Sequence, residues 1–371
     1  MAKLLFIPHS PSIMSEQHPY RPTIPPVADG EPRPLWSVMI PTYNCAEYLR
    51  QTLASVLAQD PGSDVMQIAV VDDHSTQDDP AAVVEELGRG RVEFYRQPHN
   101  VGLVRNFQTT LELSRGKLIH QLHGDDLVRD GFYQKMQRAF LENPEIGAAF
   151  CRHIIMDEHS HWQHISVLEQ QESGVLPSSW LDLIAGFQRI QTPSIIVRRE
   201  VYEKLGGFDY RLPTAAEDWE MWVRVAANYP IWYEVEPLAM YRKHSGSITK
   251  TNVKNGKYVQ QLREAVEIFQ GYLPKEKADK LYKTALQNCA FHALEIAGSI
   301  LAEGDMHSTI NLIVEALKCS RSFRVVRSAG RIILLNGTGW LWQRERTALS
   351  SQSSKSIETT GALTNSHYFK E

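Results

Sequence analysis

The chain has 371 residues, with 39 Lys and Arg against 43 Asp and Glu and a formal net charge of -4. It is long enough to bury a sizeable core, as one large domain or two smaller ones, and it lacks the global basic field that wholesale nucleic-acid binding needs. The four cysteines, Cys45, Cys151, Cys289 and Cys319, are widely spaced with no C-x-x-C pair, so neither a zinc cluster nor a disulfide framework is indicated and a reducing compartment fits.

The opening run L-L-F-I (4–7) is shorter than the apolar region of a signal peptide. No stretch approaches the ~18 apolar residues of a membrane span, so a cytoplasmic protein is expected. Eight of the 19 prolines fall in the first 34 residues, which read as an extended arm rather than a packed element. From Trp36 onward, β-rich runs alternate with helical patterns: S-V-M-I (37–40) then 45–59, I-A-V-V (68–71) then 79–88, V-E-F-Y (92–95) then 103–114, and K-L-I-H-Q-L (117–122). That alternation predicts parallel strands with crossover helices. Asn44 followed by Glu47 resembles a capping box at the start of the first helix.

Residues 130–142 read as a helix and I-G-A-A-F (146–150) as a strand, whereas 151–215 carries no clear period. E-D-W-E-M-W-V-R-V-A-A (217–227) has apolar residues at helical spacing, with two acids at its amino end. From Tyr258 to Leu335 the pattern is helical, with Leu281, Ala285, Cys289, Ala293 and Ala297 forming a stripe suited to close helix packing. The expected organisation is an amino-terminal arm (1–34), an α/β domain (35–250), a helical region (251–347) and a disordered Ser-rich tail (348–371).

Ligands of open parallel sheets collect beyond the carboxyl ends of the strands. Four such ends carry P-T-Y-N (41–44), D-D-H-S-T (72–76), R-Q-P-H-N-V-G (96–102) and H-G-D-D (123–126), and all could line one cleft. Asp72 and Asp73 could simply cap the following loop. A second acidic pair, Asp125 and Asp126, at a second strand end suggests a shared cation, since a hard divalent ion bound to phosphate needs only one or two carboxylates from the protein.

Together S-V-M-I-P-T-Y-N (37–44), V-V-D-D-H-S-T (70–76), N-V-G-L (100–103), L-H-G-D-D (122–126), G-G-F-D (206–209) and E-D-W (217–219) resemble glycosyltransferase family 2, in order and at similar spacings, over residues 36–250. The resemblance implies a GT-A type nucleotide-binding α/β fold with a mixed central sheet, followed here by a carboxyl-terminal helical region. It implies inverting transfer from a nucleoside diphosphate sugar, with a UDP-sugar preferred, to a hydroxyl of a glycan or glycolipid acceptor, in glycan, polysaccharide or glycolipid synthesis, and a Mn²⁺ or Mg²⁺ cofactor.

Carried over by position, the resemblance puts Pro41, Tyr43 and Asp73 at the nucleotide base, with Arg105 and Asn106 on a stretch approaching the nucleotide. Asp125 matches the last acid of the D-x-D metal motif, whose first acid is replaced by His123. A neutral imidazole there can ligate Mn²⁺, and a protonated one can pair with phosphate. Asp218 matches the general base, with Glu217 beside it; the chemistry needs one carboxylate to take the acceptor proton. The plainer reading of these two acids is stabilisation of a helix amino terminus. His244, in Y-R-K-H-S-G-S (241–247), matches a histidine that approaches the metal or diphosphate, the alternative being a solvated basic turn.

Trp219 and Trp222 share a helical face and are expected in the core rather than against a sugar. The arginines of T-P-S-I-I-V-R-R-E (192–200) are structural or contact acceptor; sequence leaves both open. Between Lys318 and Thr347 seven Lys or Arg face one acid, Glu345, interleaved with apolar residues that include Trp340 and Trp342. Such a segment is a basic helix packed on the protein or a peripheral membrane contact through 318–347. Two other functions compete with sugar transfer: nucleotidyl transfer, for which there is no Gly-rich phosphate loop with a following lysine, and a degenerate transferase kept as a glycan- or partner-binding module. Oligomeric state is not legible.

Overall fold

A computed structural model of the chain describes residues 18–31, 33–244, 246 and 252–334. The chain divides into two compact units, Met1–Asn288 and Cys289–Glu371. The first is built on ten strands: β1 (Trp36–Thr42), β2 (Met66–Asp72), β3 (Glu93–Arg96), β4 (Leu118–Gln121), β5 (Leu127–Val128), β6 (Ala148–Met156), β7 (Trp162–Ile165), β8 (Gly174–Val175), β9 (Ile195–Arg198) and β10 (Ile231–Arg242). Its helices are α1 (Ala46–Leu57), α2 (Pro80–Gly88), α3 (Leu103–Leu113), α4 (Phe132–Glu142), α5 (Trp180–Gly186), α6 (Arg199–Leu205), α7 (Glu217–Asn228) and α8 (Lys257–Phe269).

The sheet order is β3-β2-β1-β4-β9-β6-β10-β5, with β7 on β6 and β8 on β10. Strands β1 to β4 pair in parallel, β9 runs antiparallel between β4 and β6, and β10 is parallel to β6. The expected mixed α/β sheet is therefore present, and β1, β2, β4, β6 and β10 all end on one edge. β1 and β2 are buried along their whole length, as apolar interior strands covered on both faces require. The main core holds Val38, Ile40, Leu49, Leu53, Ile68 and Val70 between sheet and helices.

Two local expectations change. Cys45, not Asn44, is the N-cap of α1, and no side chain of its own caps it. Asn44 Oδ1 instead accepts from Thr76 N (2.9 Å) and Gln77 N (3.1 Å), and Asp78 Oδ2 takes the Ala46 N–H at 2.7 Å. The cap of α1 thus comes from the loop after β2, an exchange between segments about thirty residues apart that no local pattern encodes.

The proline-rich stretch has no helix or strand over residues 18–31, yet it packs. Ile24 is 1% exposed. Pro22 O accepts from Gly207 N at 2.8 Å, Tyr20 O from Tyr210 N at 2.9 Å, and Pro25 O from the Arg199 guanidinium at 2.8 Å. Proline removes N–H donors but leaves carbonyls, and those carbonyls tie the strap to G-G-F-D.

Trp219 and Trp222 are 0% and 1% exposed, so both are core. Arg198 donates to Ile146 O at 2.7 Å, and the buried Arg199 donates to Ser114 O at 2.6 Å; both are structural.

Beyond α8 come α9 (Lys275–Ala302) and α10 (Met306–Cys319), and residues 323–334 form a further helix, α11. The stripe Leu281, Ala285, Cys289, Ala293 and Ala297 is buried throughout. No helix among the described residues is long and apolar enough to cross a membrane. The tail 348–371, residues 335–347 of the basic segment, and Ser245 and Ser247 lie outside the described residues.

Candidate active site

The tip of β1 joins the neighbouring loops. Thr42 O accepts from Asp73 N at 2.9 Å, and Pro41 O accepts from Gly124 N at 3.0 Å. A Cβ on Gly124 would lie 2.9 Å from Thr42 Oγ1 and 3.1 Å from Cys45 Sγ, so glycine is what lets H-G-D-D approach β1 so closely. Tyr43, next along, is 42% exposed at this edge.

The first acidic pair is taken up locally. Asp72 is fully buried and accepts from Ser75 N (3.1 and 3.2 Å) and Ser75 Oγ (2.5 Å), the loop-capping role. Asp73 accepts from Val101 N at 2.7 Å and Gly102 N at 3.0 Å, fixing N-V-G at the start of α3. Burial nonetheless raises its carboxyl above the usual range. Arg105 lies 5.1 Å over the Tyr210 ring. The Asn106 side chain does not face the cleft: it is buried, donating to Val71 O at 3.0 Å and accepting from Gln97 at 3.2 Å.

At the end of β4 the ligand atoms of His123, Asp125 and Asp126 lie within 4.8 Å of one another. The His123 ring stacks on Phe107 with centroids 4.8 Å apart, and burial lowers its pKa. Asp125 Oδ2 meets His244 Nε2 at 3.0 Å. Burial works to raise the Asp125 carboxyl, but the His244 bond and the neighbouring imidazoles outweigh it and hold it below its usual range. Asp126 is 0% exposed; Oδ1 accepts from Arg242 N at 2.8 Å, while burial and then Asp125 push its pKa well up. Asp126 Oδ2 and His123 Nε2 are buried and have no hydrogen-bond partner among the described residues. Two orphaned polar atoms beside an ionised carboxylate are a donor set that a divalent cation fits, oxygen-rich with one imidazole.

Arg242 organises this loop, and sequence reading did not single it out. Buried at the end of β10, it donates to Asp125 O (2.8 Å), Ser160 Oγ (2.9 Å) and Gln51 Oε1 (2.9 Å), and lies 4.6 Å over the Tyr48 ring. An arginine closing an apolar strand beside a motif histidine was the available signal.

A third acidic pair, Glu217 and Asp218, opens α7. Ala216, at φ 64, turns the chain sharply into the helix. Asp218 Oδ2 accepts from Gln188 Nε2 at 2.7 Å and Thr192 Oγ1 at 3.3 Å, and Oδ1 takes the Trp219 N–H at 2.7 Å. Burial, opposed by these bonds, raises its pKa to about 6. Glu217 is 5% exposed; burial and then Asp218 push it well up, and its Oε2 is without a hydrogen-bond partner among the described residues. Gln188 and Thr192 had no sequence signal. The two acidic clusters meet at Tyr241, whose phenol is driven upward by burial and then by Asp126, Asp125 and Asp218.

Comparison with known proteins agrees with this geometry. Residues 37–206 match the model of glycosyl transferase family 2. An uncharacterized protein of Mycobacterium tuberculosis is 30% identical over 231 residues, covering 60% of this chain and 70% of that protein. An uncharacterized glycosyltransferase of Rickettsia typhi is 25% identical over 245 residues, covering 65% and 72%. Among solved structures, S. aureus TarS in complex with UDP-GlcNAc aligns with a TM-score of 0.59 at 17% identity, over 78% of this chain and 82% of that one. Mannosyltransferase PcManGT from Pyrobaculum calidifontis, in complex with GDP-Man and Mn²⁺, aligns with a TM-score of 0.51 at 17% identity, over 91% and 88%. These two likenesses bear on the fold, which is of the GT-A type. The chain belongs to glycosyltransferase family 2 and is a glycosyltransferase, which sets aside nucleotidyl transfer.

Proposed function

We propose that the chain is an inverting transferase that moves a monosaccharide from a nucleoside diphosphate sugar to an acceptor hydroxyl, with Asp218 as general base. The observation that carries the reading is the shared neighbourhood of Tyr241, which feels both Asp218, a carboxylate with a pKa of about 6, and the Asp125 and Asp126 of the His123 cluster. A base titrating near 6 is largely ionised at neutral pH yet basic enough to accept a proton.

In this reading the acceptor oxygen attacks the anomeric carbon as its proton passes to Asp218, and the bond to the diphosphate oxygen breaks on the opposite face, inverting the centre. Gln188 and Thr192 orient the carboxylate, and burial and Asp218 drive Glu217 toward protonation, which reduces any second charge beside it. His123, Asp125 and Asp126 would hold Mn²⁺ or Mg²⁺, which would supply positive charge for the departing diphosphate; His244 steadies Asp125. Pro41, Tyr43, Asp73 and Arg105 frame the nucleotide, while Asn106 acts through the strands it braces. The UDP-GlcNAc and GDP-Man bound by the structural neighbours support a nucleotide-sugar donor. A glycan or glycolipid supplies the acceptor hydroxyl.

A thermal-shift screen of nucleotide sugars with Mn²⁺ or Mg²⁺, since a true ligand stabilises in proportion to its concentration over Kd, identifies donor and metal. Turnover with that donor should then release nucleoside diphosphate and give a product of inverted anomeric configuration by NMR. Retained configuration refutes the mechanism.

A further inference from the structure

Helix α11 has three sectors. Val325 and Ala329, one turn apart, are 0% and 4% exposed and form its packed side. Phe323, Val326, Ile333 and Leu334 are 78%, 49%, 58% and 72% exposed. Arg324, Arg327 and Arg331, at spacings of three and four, are also exposed and so form a stripe along one face. Within the same unit, α10 exposes Met306, Ile310 and Val314 at four-residue spacing, ending at Lys318.

The charge is one-sided. Over residues 306–334 the single acid is Glu315, which is 9% exposed and bonded to Lys318 at 2.5 Å. Among the described residues Arg321, Arg324, Arg327 and Arg331 have no ion pair. A helix packed on the protein with a solvated basic face would not also turn Phe323 and Leu334 outward.

We propose that α10 and α11 form a docking surface for an anionic lipid bilayer, the exposed apolar residues entering the interface while the arginines meet lipid phosphates. A second copy of the chain is a poor occupant, because its own arginine stripe would oppose this one. Residues 335–371 are poor too, with four Lys or Arg against three Glu and thus no complementary charge. The inference goes beyond sugar transfer and rests on none of its residues; its consequence is an enzyme held where lipid-linked acceptors lie.

The test is co-sedimentation of the full chain with vesicles of phosphatidylcholine alone or with phosphatidylglycerol added, without donor or acceptor, so that its outcome is separate from that of the transfer reading. Binding is expected to the anionic vesicles only and to weaken as salt screens the charges. Replacing Arg324, Arg327 and Arg331 by Gln should lower partitioning by about fivefold per charge, on the order of 100-fold together. F323S with V326S should weaken it at constant charge. Equal recovery with both vesicle types, salt-independent binding, or a dimer formed through Phe323 and Val326 that excludes vesicles would each overturn the proposal. Wild-type lipid and salt dependence decides the matter even if a variant does not fold.

Discussion

Two pairs of adjacent acids, Asp125–Asp126 and Glu217–Asp218, resolve their repulsion in opposite ways. Asp125 and Asp126 sit among potential cations: Arg242 donates to the loop from behind and His244 from the side. One carboxylate is held ionised, the other is driven toward protonation, and two buried polar atoms stay unsatisfied. Among the described residues Asp218 takes its hydrogen bonds from neutral groups, Gln188, Thr192 and the Trp219 backbone, and both Glu217 and Asp218 are pushed upward. The first arrangement suits a cation; the second suits the exchange of a proton. Two similar acidic dipeptides thus acquire different properties from their surroundings.

The largest effect should separate the pairs outright. Asp218→Asn keeps the shape and removes the proton acceptor of the proposed mechanism, so turnover should fall by about 10²–10⁴ with donor affinity unchanged. Single-turnover kinetics beside calorimetric donor binding reads both. A parallel loss of affinity would mean that Asp218 belongs with the donor cluster. The next effect is structural and confined to the first pair. Arg242→Gln removes bonds to Asp125 O and Ser160 and leaves buried acceptors, for a cost of about 3 kcal/mol, or roughly 6–12 °C in Tm. An unchanged melting curve would show that the loop is held by its glycine and β1 alone.

Much of this contrast was legible in the sequence, and the exceptions have causes. The runs at 37–40 and 68–71 belong to strands buried from end to end, so composition alone reveals them. The stretch 151–215 was opaque because β7 is exposed at every residue and β8 has two residues, giving no alternation to read. Asn44 misled for a related reason: its side chain satisfies amides at 76–77, and a local motif cannot register a distant competitor. His123 stood out as a departure from an acidic motif, but Arg242, Gln188 and Thr192 work through contacts between residues far apart in the chain, which leave no period. The same limit hid the packing of residues 18–31, whose carbonyls pair with segments some 190 residues later.

A smaller effect sharpens the metal side of the comparison. Asp125→Ala leaves Asp126 and His123 in place but removes the ionised member, so Mn²⁺-dependent nucleotide binding should weaken by about 10–100-fold. Calorimetric titration of nucleoside diphosphate with and without Mn²⁺ measures it. Affinity that is indifferent to the metal in both proteins would take the cation out of this cluster.

The smallest effect follows from linkage at the second pair. A folded pKa of about 6 lies above the unfolded value of about 3.9 for Asp, so the native state binds more protons between those limits. Stability therefore falls as pH rises through that window and is constant above it with respect to this group. Asparagine cannot ionise, and the loss should be absent in Asp218→Asn. The variant should melt a few degrees higher than wild type at pH 7.5, with the gap closing toward pH 4. On the proposed mechanism the same titration should set the acid limb of kcat/KM for the free wild-type enzyme near pH 6. Agreement of the two midpoints would tie one carboxylate to both readouts; a gap that persisted at pH 4 would trace the stabilisation to packing and leave the raised pKa without support.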